Sequence, residues 1–221
     1  MTVREGSRIE CADVWCAHGR RAVVRGVDLT VAAGERVAVT GTNGSGKTTL
    51  LRAVLGLHPV TAGLIAVDGV VARGAADWDR RRRAVTWIPQ RQAPGRFPLP
   101  GRELLTSSGA FDAAAAAARR LGVADLIARP LHTLSGGQLQ RMYLARALGC
   151  VAAGAGALLA DEPTAALDFA GQEEAGALLT ELPVTLLVVT HDRALAARCD
   201  RVLEMADGRL RRIPAAAGEI A

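Results

Sequence analysis

Aromatic residues, paired cysteines and long apolar runs are all scarce in this chain of 221 residues. Phenylalanine, tryptophan and tyrosine together make up only 3% of it, so the stacking platforms that single-stranded nucleic acid requires are few. The composition is otherwise that of a folded protein, with 50% hydrophobic and 22% charged residues. The scarcity of aromatic residues argues against nucleic acid as a partner.

The four cysteines form no C-x-x-C pair and have no histidine at the spacing of a zinc site. They are Cys11, Cys16, Cys150 and Cys199. We expect free and mostly buried thiols, which suit a reducing compartment, rather than a metal centre.

No segment of the sequence has the character of a membrane span. The uncharged run Ala147–Ala160 is interrupted by glycines and has the length of a core segment. The first residues, Met1–Glu5, lack the apolar stretch of a signal peptide. The sequence predicts a soluble chain, so that any membrane role comes through a partner.

Lysine is equally scarce, because Lys47 is the only lysine among 27 basic residues and all the others are arginine. It lies in Gly41–Thr48, which matches the phosphate-binding pattern G-x-x-x-x-G-K-[ST] at every fixed position. An ammonium group is compact enough to lie between phosphates, where a planar guanidinium does not fit. The single lysine therefore favours a nucleotide site over an incidental glycine-rich turn, and the net charge of +5 permits an anionic ligand.

The residues on either side supply the strand and the helix that such a loop requires. Arg36–Thr40 is typical of a short buried strand, and Thr49–Leu55 of a helix with apolar residues paired at i,i+4. The glycines let backbone N–H groups turn toward the β- and γ-phosphates, while Lys47 adds a full charge and the Thr48 hydroxyl is suited to ligate Mg²⁺. We expect the phosphates to be held by Gly41, Thr42, Asn43, Gly44, Ser45, Gly46, Lys47, Thr48 and Thr49.

The apolar patterns predict an α/β fold with two kinds of sheet. Ile9–Val31 alternates around Gly19, and Asp68-Gly69 lies between two short apolar runs, which indicates antiparallel strands near the N-terminus. Continuous apolar strands without alternation indicate a parallel sheet that is covered on both faces. These strands are Arg36–Thr40, Ala84–Ile88, Ala157–Ala160 and Val184–Val189, followed by a closing hairpin at Val202–Ile213.

Two segments interrupt the strands. We interpret the charge run Asp79–Arg83 as a solvated face, with contact to lipid headgroups or to a partner as the alternative. Residues 91 to about 137 are interpreted as a helical insertion, in which the run Ala113–Ala118 reflects helix propensity. The prediction is a single domain over residues 1–221: a P-loop NTPase parallel-sheet core with an N-terminal antiparallel β subdomain and a helical insertion subdomain.

Three of the predicted core strands end in polar residues, at Gln90, at Asp161-Glu162 and at His191. Ligands bind beyond the carboxyl ends of parallel strands, so we expect these side chains to meet near the phosphates. Asp161 is suited to hold Mg²⁺ together with Thr48, and Gln90 either to ligate Mg²⁺ or to orient the attacking water. Glu162 can polarise that water, and His191 can donate a hydrogen bond to the γ-phosphate. The pattern supports phosphoryl transfer to water.

A second glycine-flanked helix N-terminus occurs at Leu134–Arg141, where Ser135 is the predicted N-cap. Such an N-terminus is a potential anion site, although the chain has only one phosphate cradle. In their order along the chain, the motifs resemble the nucleotide-binding domain of ATP-binding cassette (ABC) transporters. The resemblance is carried by Gly41–Thr48, Gln90, Leu134–Gln138, Ala157–Glu162, Ala166–Asp168 and His191.

The resemblance implies an ATPase that uses ATP and Mg²⁺ and works as a head-to-tail dimer. ATP in one cradle would be capped by the signature segment of a second copy, and Asp168 would lie at the dimer interface. That segment comprises Ser135, Gly136, Gly137 and Gln138. The resemblance also implies an integral membrane permease subunit that docks on the Gln90 segment and the helical insertion. It further implies a solute-binding protein in the case of an importer, and a location at the cytoplasmic face of the plasma membrane.

Two finer features bear on the ligand and the cargo. His18 stands where the family usually has an aromatic residue that stacks on adenine, and Trp15 is the alternative. Ile88–Gln92 and Phe97–Leu105 are similar to the subfamily that serves zinc and manganese importers. A metal cargo is therefore an expectation that rests on similarity alone.

Two other classes of protein share part of this pattern. A soluble ABC-type ATPase that acts on nucleic acid or ribosomes usually carries two cassettes or a long coiled-coil insertion, and this chain has neither. A P-loop kinase shares the cradle, but the Leu134–Gln138 signature and a hydrolytic Glu162 argue against it.

Overall fold

The computed structural model describes residues 6–90 and 98–212, which form two sheets and seven α-helices. The strands are β1 (Ile9–His18), β2 (Arg21–Val31), β3 (Arg36–Thr40), β4 (Ala62–Val67), β5 (Val70–Val71), β6 (Val85–Ile88), β7 (Ala157–Asp161), β8 (Thr185–Val189), β9 (Arg201–Ala206) and β10 (Arg209–Arg212). The helices are α1 (Lys47–Val54), α2 (Ala75–Ala84), α3 (Gly101–Thr106), α4 (Phe111–Arg120), α5 (Gly136–Ala152), α6 (Phe169–Thr180) and α7 (Arg193–Ala197).

The larger sheet has six strands in the order β10-β9-β3-β8-β7-β6. Five of them are parallel, and β10 adds an antiparallel edge through its hairpin with β9. Successive residues of β8 contribute to opposite core clusters: Leu187 packs with the antiparallel sheet, and Val188 packs with the helices of the other face. The predicted parallel sheet with two covered faces is therefore confirmed.

The smaller sheet is antiparallel and has the order β2-β1-β4-β5. Its first hairpin turns at Gly19, which has a φ of 59°, and His18 is the last residue of β1. The second hairpin turns at Asp68 and Gly69, with φ of 51° and 73°, as the Asp-Gly signal predicts. The N-terminal antiparallel subdomain is therefore confirmed.

Helices and short turns connect β6 to β7. Residues 98–135 contain α3, α4 and two 3₁₀ turns at Ala124–Leu126 and Leu131–Thr133, and the alanine run lies in α4 as predicted. The first part of the predicted insertion, residues 91–97, lies outside the described residues, as does Ile213 of the closing hairpin. No helix in the described ranges is both long and apolar enough to span a bilayer.

The charge run Asp79–Arg83 departs from its prediction at one position. The run lies in α2, and Arg81 is only 5% exposed. Its guanidinium donates hydrogen bonds to the carbonyl oxygens of Ile65 at 2.8 Å and Val70 at 3.2 Å, and lies over the ring of Trp78. The prediction of a wholly solvated face is wrong for Arg81, because the end of β4 and the start of β5 turn carbonyl groups toward it.

Candidate active site

The loop between β3 and α1 forms a narrow cradle of backbone groups. Gly41, Gly44 and Gly46 have φ of 131°, 80° and 108°, a region that residues with a side chain rarely adopt. A Cβ atom would also clash with the carbonyl of Met205 at Gly41, and with the carbonyl of Val23 at Gly46. Only glycine fits at these two positions, and the free N–H groups at the start of α1 face the same loop.

Lys47, the first residue of α1, directs its ammonium group back along the cradle. Its side chain is nearly buried, and Nζ donates hydrogen bonds to the carbonyl oxygens of Gly41 at 2.6 Å and Thr42 at 2.9 Å. Burial lowers the pKa of Lys47, while the carboxylates of Glu162 and Asp161 act in the opposite direction. The cation is thus held at the mouth of the cradle, where it can meet phosphate oxygens.

A cavity of about 600 Å³ opens over the cradle and collects side chains from five separate parts of the chain. It is lined by His18, Arg21, Val23, Asn43, Gly44, Ser45, Gly46, Lys47, Thr48, Thr49, Gln90, Asp161, Glu162 and Val189. Most of the predicted cradle therefore lies in one cavity with the predicted strand-end residues Gln90, Asp161 and Glu162. Its volume lies in the range typical of small-molecule sites.

Asp161 ends β7 at the bottom of this cavity and is 1% exposed. Both carboxylate oxygens are buried without a hydrogen-bond partner of ordinary geometry among the described residues. Burial raises the pKa of Asp161, and the adjacent Thr48 hydroxyl, Arg52 and Lys47 partly offset this. A buried and unsatisfied carboxylate next to a hydroxyl is an oxygen donor set that suits a hard cation such as Mg²⁺.

Few protein groups other than Asp161 and Thr48 are available to bind such a cation. The described ranges contain no group of three or more histidine, cysteine, aspartate or glutamate side chains that could hold a metal ion. Gln90 is exposed at the rim of the cavity, so its amide oxygen is accessible as a further donor. Binding of Mg²⁺ here would therefore depend on phosphate oxygens and water in addition to protein groups.

Glu162 adopts a left-handed backbone conformation, with φ of 51°, in the turn that follows β7. Its backbone N–H donates to the carbonyl of Val189 at 2.8 Å, which ties the turn to the end of β8. Burial raises the pKa of its carboxyl, an effect that the backbone N–H and ring of His191 oppose and that Asp161 reinforces. Non-glycine residues held in this region of φ are often functional.

His191 lies beside Glu162 rather than among the residues that line the cavity. The backbone N–H of His191 donates to Oε2 of Glu162 at 3.2 Å, and the ring Nε2 lies 3.5 Å from Oε1. The imidazole itself is about half exposed, with 54% of its side chain accessible. The structure thus brings His191 next to the carboxylate of Glu162.

One wall of the cavity is formed by the hairpin of β1 and β2. His18 is exposed there, and its ring centroid lies 4.8 Å from that of His58 in a T-shaped arrangement. Trp15 does not line the cavity; its indole N–H donates to Asp13. Sequence reasoning missed Arg21, which pairs with His18 across the hairpin and lines the same cavity, although the Gly19 turn predicts that pairing.

The signature segment is folded at the start of α5, away from the cavity. Ser135 caps the helix by accepting from the N–H of Gln138 at 3.3 Å, and the Gln138 side chain accepts from the N–H of Ser135 at 3.0 Å. Gly136 is exposed, Gly137 is half-buried, and neither lines the cavity. Asp168 caps α6 by accepting from the N–H of Gly171 at 3.2 Å and also contacts Arg141.

Comparison with known proteins gives a consistent result. Residues 24–165 match the family model described as ABC transporter. The chain is 40% identical to the Pyoverdine export ATP-binding/permease protein PvdT of Pseudomonas syringae pv. tomato, over 84% of this chain and 30% of that protein. It is 36% identical to the Lipoprotein-releasing system ATP-binding protein LolD of Porphyromonas gingivalis, over 91% of this chain and 98% of that protein. The chain spans less than a third of the length of the first of these relatives.

Solved structures agree with the observed fold. The dimeric structure of MJ0796, a bacterial ABC transporter cassette, superposes with a TM-score of 0.82 at 25% identity, over 94% of this chain and 99% of that one. A bacterial Atm1-family ABC exporter with ATP bound superposes with a TM-score of 0.80 at 26% identity, over 96% of this chain and 39% of that one. With its cradle, strand-end carboxylates and signature segment, the chain belongs to the ABC transporter family and is an ATP-binding domain of the ATPase type.

Proposed function

We propose that this chain is the ATP-hydrolysing subunit of a transporter, which binds MgATP between two copies of itself and drives a separate membrane subunit. The observation that carries the proposal is the meeting of Asp161 and Glu162 with the cradle in one cavity of about 600 Å³. Two adjacent buried carboxylates are costly in a site that does not use them. Their presence beside Lys47 supports phosphate chemistry over mere nucleotide binding.

The cradle residues bind and orient the triphosphate. Backbone N–H groups of Gly44 to Thr48 and the Nζ of Lys47 donate to the β- and γ-phosphates. Thr48 and Asp161 would hold Mg²⁺, with Gln90 as a further oxygen donor. When bound, Mg²⁺ would supply positive charge that neutralises the phosphate oxygens. The residues themselves hold the γ-phosphate in a fixed position, which accounts for much of the catalysis of phosphoryl transfer.

Glu162 and His191 act on the attacking water. The Glu162 carboxylate accepts a hydrogen bond from the water and aligns it with the γ-phosphate. The backbone N–H of His191 already donates to Oε2 of Glu162, which leaves Oε1 for the water. The exposed imidazole of His191 would donate to the γ-phosphate, and the amide of Gln90 at the rim of the cavity would orient the water.

A second copy of the chain completes the site. Ser135, Gly136, Gly137 and Gln138 form a helix N-terminus that lies outside this chain's own cavity, so the ATP that they contact belongs to another copy. Asp168 lies in the same region, through its contact with Arg141 of α5. A head-to-tail arrangement of two copies supplies each cradle with a capping segment.

A second cavity, of about 1040 Å³, supports the docking of a membrane subunit next to Gln90. It lies between α2, α3 and α5, and its described lining residues include four arginines but no aspartate or glutamate. The arginines are Arg81, Arg82, Arg83 and Arg146. Apolar groups such as Leu55, Trp87 and Leu104 line the rest. The groove therefore fits a short helix with both apolar and acidic side chains, such as a cytoplasmic loop of a permease. Such docking places the chain at the cytoplasmic face of the plasma membrane.

Affinity purification from detergent-solubilised membranes of the source cell tests the proposal. We expect the tagged chain to recover a polytopic membrane protein, and the double variant Arg82→Glu, Arg83→Glu to recover at least about tenfold less, because two charges in the groove are reversed. The double variant Arg211→Glu, Arg212→Glu, at exposed positions of the edge strand β10, is the matched control and recovers it normally. Recovery of only ribosomes or DNA would contradict transport.

The two cavities discussed above are proposed to bind the nucleotide and the membrane subunit, so neither of them identifies the transported substrate. The relatives named above are described as acting in pyoverdine export and lipoprotein release, which favours outward movement over the predicted import of zinc or manganese. A metal cargo and a solute-binding protein remain predictions, and part of the segment on which they rest lies outside the described residues. No observation favours the alternative of nucleic acid or ribosomes. We also propose that residues 1–221 form a single domain.

A further inference from the structure

The first turns of α5 contact the segment that follows Glu162 at three successive points. Gly137 packs so closely that a Cβ there would lie 3.1 Å from the carbonyl oxygen of Ala166. Arg141 lies 3.4 Å from the carboxylate of Asp168. Between them, the side-chain amide of Gln140 donates to the carbonyl oxygen of Pro163 at 2.6 Å. Of these three contacts, only that of Gln140 is a short hydrogen bond between buried groups.

This bond lies next to the left-handed turn that carries Glu162. Gln140 is 3% exposed and Pro163 is buried, so the carbonyl oxygen of Pro163 would lose this hydrogen bond without access to water if the bond were broken. On its other side, the same segment is tied to α7, since Thr164 donates to the N-cap Asp192 at 3.2 Å. A strained turn persists only where its surroundings hold it, and of the three contacts from α5 that of Gln140 lies next to Glu162 in sequence.

We propose that Gln140 is a positioning residue that couples the two ATP sites of the dimer. The inference rests on the proposed function, in which Gly136 and Gly137 contact the ATP of the other copy. Gln140 follows Gly137 by three residues in the same helix, a rise of about 4.5 Å, so both move as one rigid unit. Closure of the signature segment on one ATP is thereby transmitted, through Pro163, to the Glu162 that acts on the other ATP.

Two substitutions of Gln140 test this coupling. Gln140→Met keeps the length of the side chain but cannot donate, so we expect kcat to fall about tenfold or more through misplacement of Glu162. The dissociation constant for ATP, measured without hydrolysis in EDTA, stays within about twofold because the cradle is intact, while the Hill coefficient for ATP falls to about one. Thr180→Val is the matched control, since the buried Thr180 hydroxyl donates to the carbonyl of Gly176 within α6, outside the segment that follows Glu162. It retains the wild-type kcat and Hill coefficient.

Gln140→Glu provides a readout that a merely structural role would not give. The buried carboxyl donates to Pro163 only when protonated, and burial raises the pKa of such a group. The ratio of its kcat to that of the wild type therefore rises as the pH is lowered from about 8 to about 6. Melting curves of all variants establish that they are folded.

The outcomes of these experiments distinguish a failure of the proposed coupling from a failure of the proposed function. Folded Gln140 variants with a wild-type kcat, Hill coefficient and pH profile overturn the proposal. A lowered kcat with an unchanged Hill coefficient also overturns it, because Gln140 would then position Glu162 without coupling the sites. If the wild-type chain itself neither dimerises nor hydrolyses ATP, the proposed function fails instead.

Discussion

The backbone N–H of His191 donates a hydrogen bond to Oε2 of Glu162, and the imidazole Nε2 of the same residue lies 3.5 Å from Oε1. His191 thus approaches Glu162 with two groups that have different consequences. The backbone group fixes the carboxylate and is independent of the side chain. The exposed ring is free to reach a phosphate. Substitution of the His191 side chain therefore tests the contact of the ring with a phosphate, while the backbone hydrogen bond to Glu162 remains.

His191→Ala is expected to lower kcat by about 10²-fold or more, since it removes a hydrogen bond made to the developing charge on the γ-phosphate. The affinity for ATP is expected to change little, because the cradle and the backbone bond to Glu162 persist. Phosphate release under steady-state conditions and equilibrium binding in EDTA measure the two quantities. A variant with weak binding but normal kcat would place His191 in ground-state binding instead.

Lys47→Arg and Lys47→Met are both expected to weaken ATP binding by about 10- to 100-fold, the value of a hydrogen bond between charged groups. The ammonium group lies within 2.6 Å and 2.9 Å of two loop carbonyls, so a planar guanidinium is too large for the same place. Calorimetric titration with ATP measures the loss. Normal binding by Lys47→Arg would show that charge alone, and not size, determines the contact.

His18→Ala is expected to lower the affinity for ATP about three- to tenfold, the range of a single ring-stacking contact. Its affinity for inorganic tripolyphosphate is expected to remain that of the wild type, because His18 lies on the hairpin of β1 and β2 and is not part of the cradle. His132→Ala, in an exposed 3₁₀ turn, is the matched control. If both ligands bind the variant as they bind the wild type, His18 does not contact the base.

The two buried carboxyls predict a dependence of stability on pH. Burial raises the pKa of Asp161 and of Glu162, so the folded state retains protons that the unfolded state releases in the window above the ordinary pKa of these groups. Stability therefore falls as the pH rises through that window and stays lower above it. Without nucleotide or Mg²⁺, Asp161→Asn should unfold at a higher urea concentration than the wild type at neutral pH.

That difference should narrow as the pH falls toward about 4 and close below about 3, where the carboxyl is protonated in both states. Asp125→Asn, at an exposed turn, is the control and should show no such dependence. If Asp161→Asn is instead less stable than the wild type at neutral pH, groups in the protein stabilise the Asp161 carboxylate. That result would contradict the observation that its oxygens have no hydrogen-bond partner of ordinary geometry among the described residues.

The cradle, the parallel strands and the strand-end carboxylates were all predictable from the sequence, because each depends on local spacing. The G-x-x-x-x-G-K-T pattern determines which backbone groups turn inward, and continuous apolar runs end at Asp161 and His191. Four strands of the larger sheet, and both hairpins of the smaller antiparallel sheet, follow the predicted patterns to within one or two residues.

The features that could not be predicted from the sequence depend on contacts between residues that are far apart in the chain. The strand at Arg201–Ala206 forms a hairpin as predicted, but it also pairs in parallel with Arg36–Thr40, a partner more than 160 residues away. Arg81 is buried by carbonyls from a different hairpin, and Arg21 reaches the cavity only through the position of that sheet. The strained turn at Glu162 depends equally on its bond to Val189.

The mass of the Glu162→Gln variant in solution tests most directly the claim that the ATP site is shared between two copies. The amide cannot polarise water, so ATP stays intact, and light scattering with saturating MgATP should give twice the monomer mass, while the nucleotide-free protein stays monomeric. Adding Ser135→Arg, which blocks the capping segment, should restore the monomer at unchanged ATP affinity. A Glu162→Gln chain that remains monomeric with bound ATP, or hydrolyses it at the wild-type rate, would contradict the account.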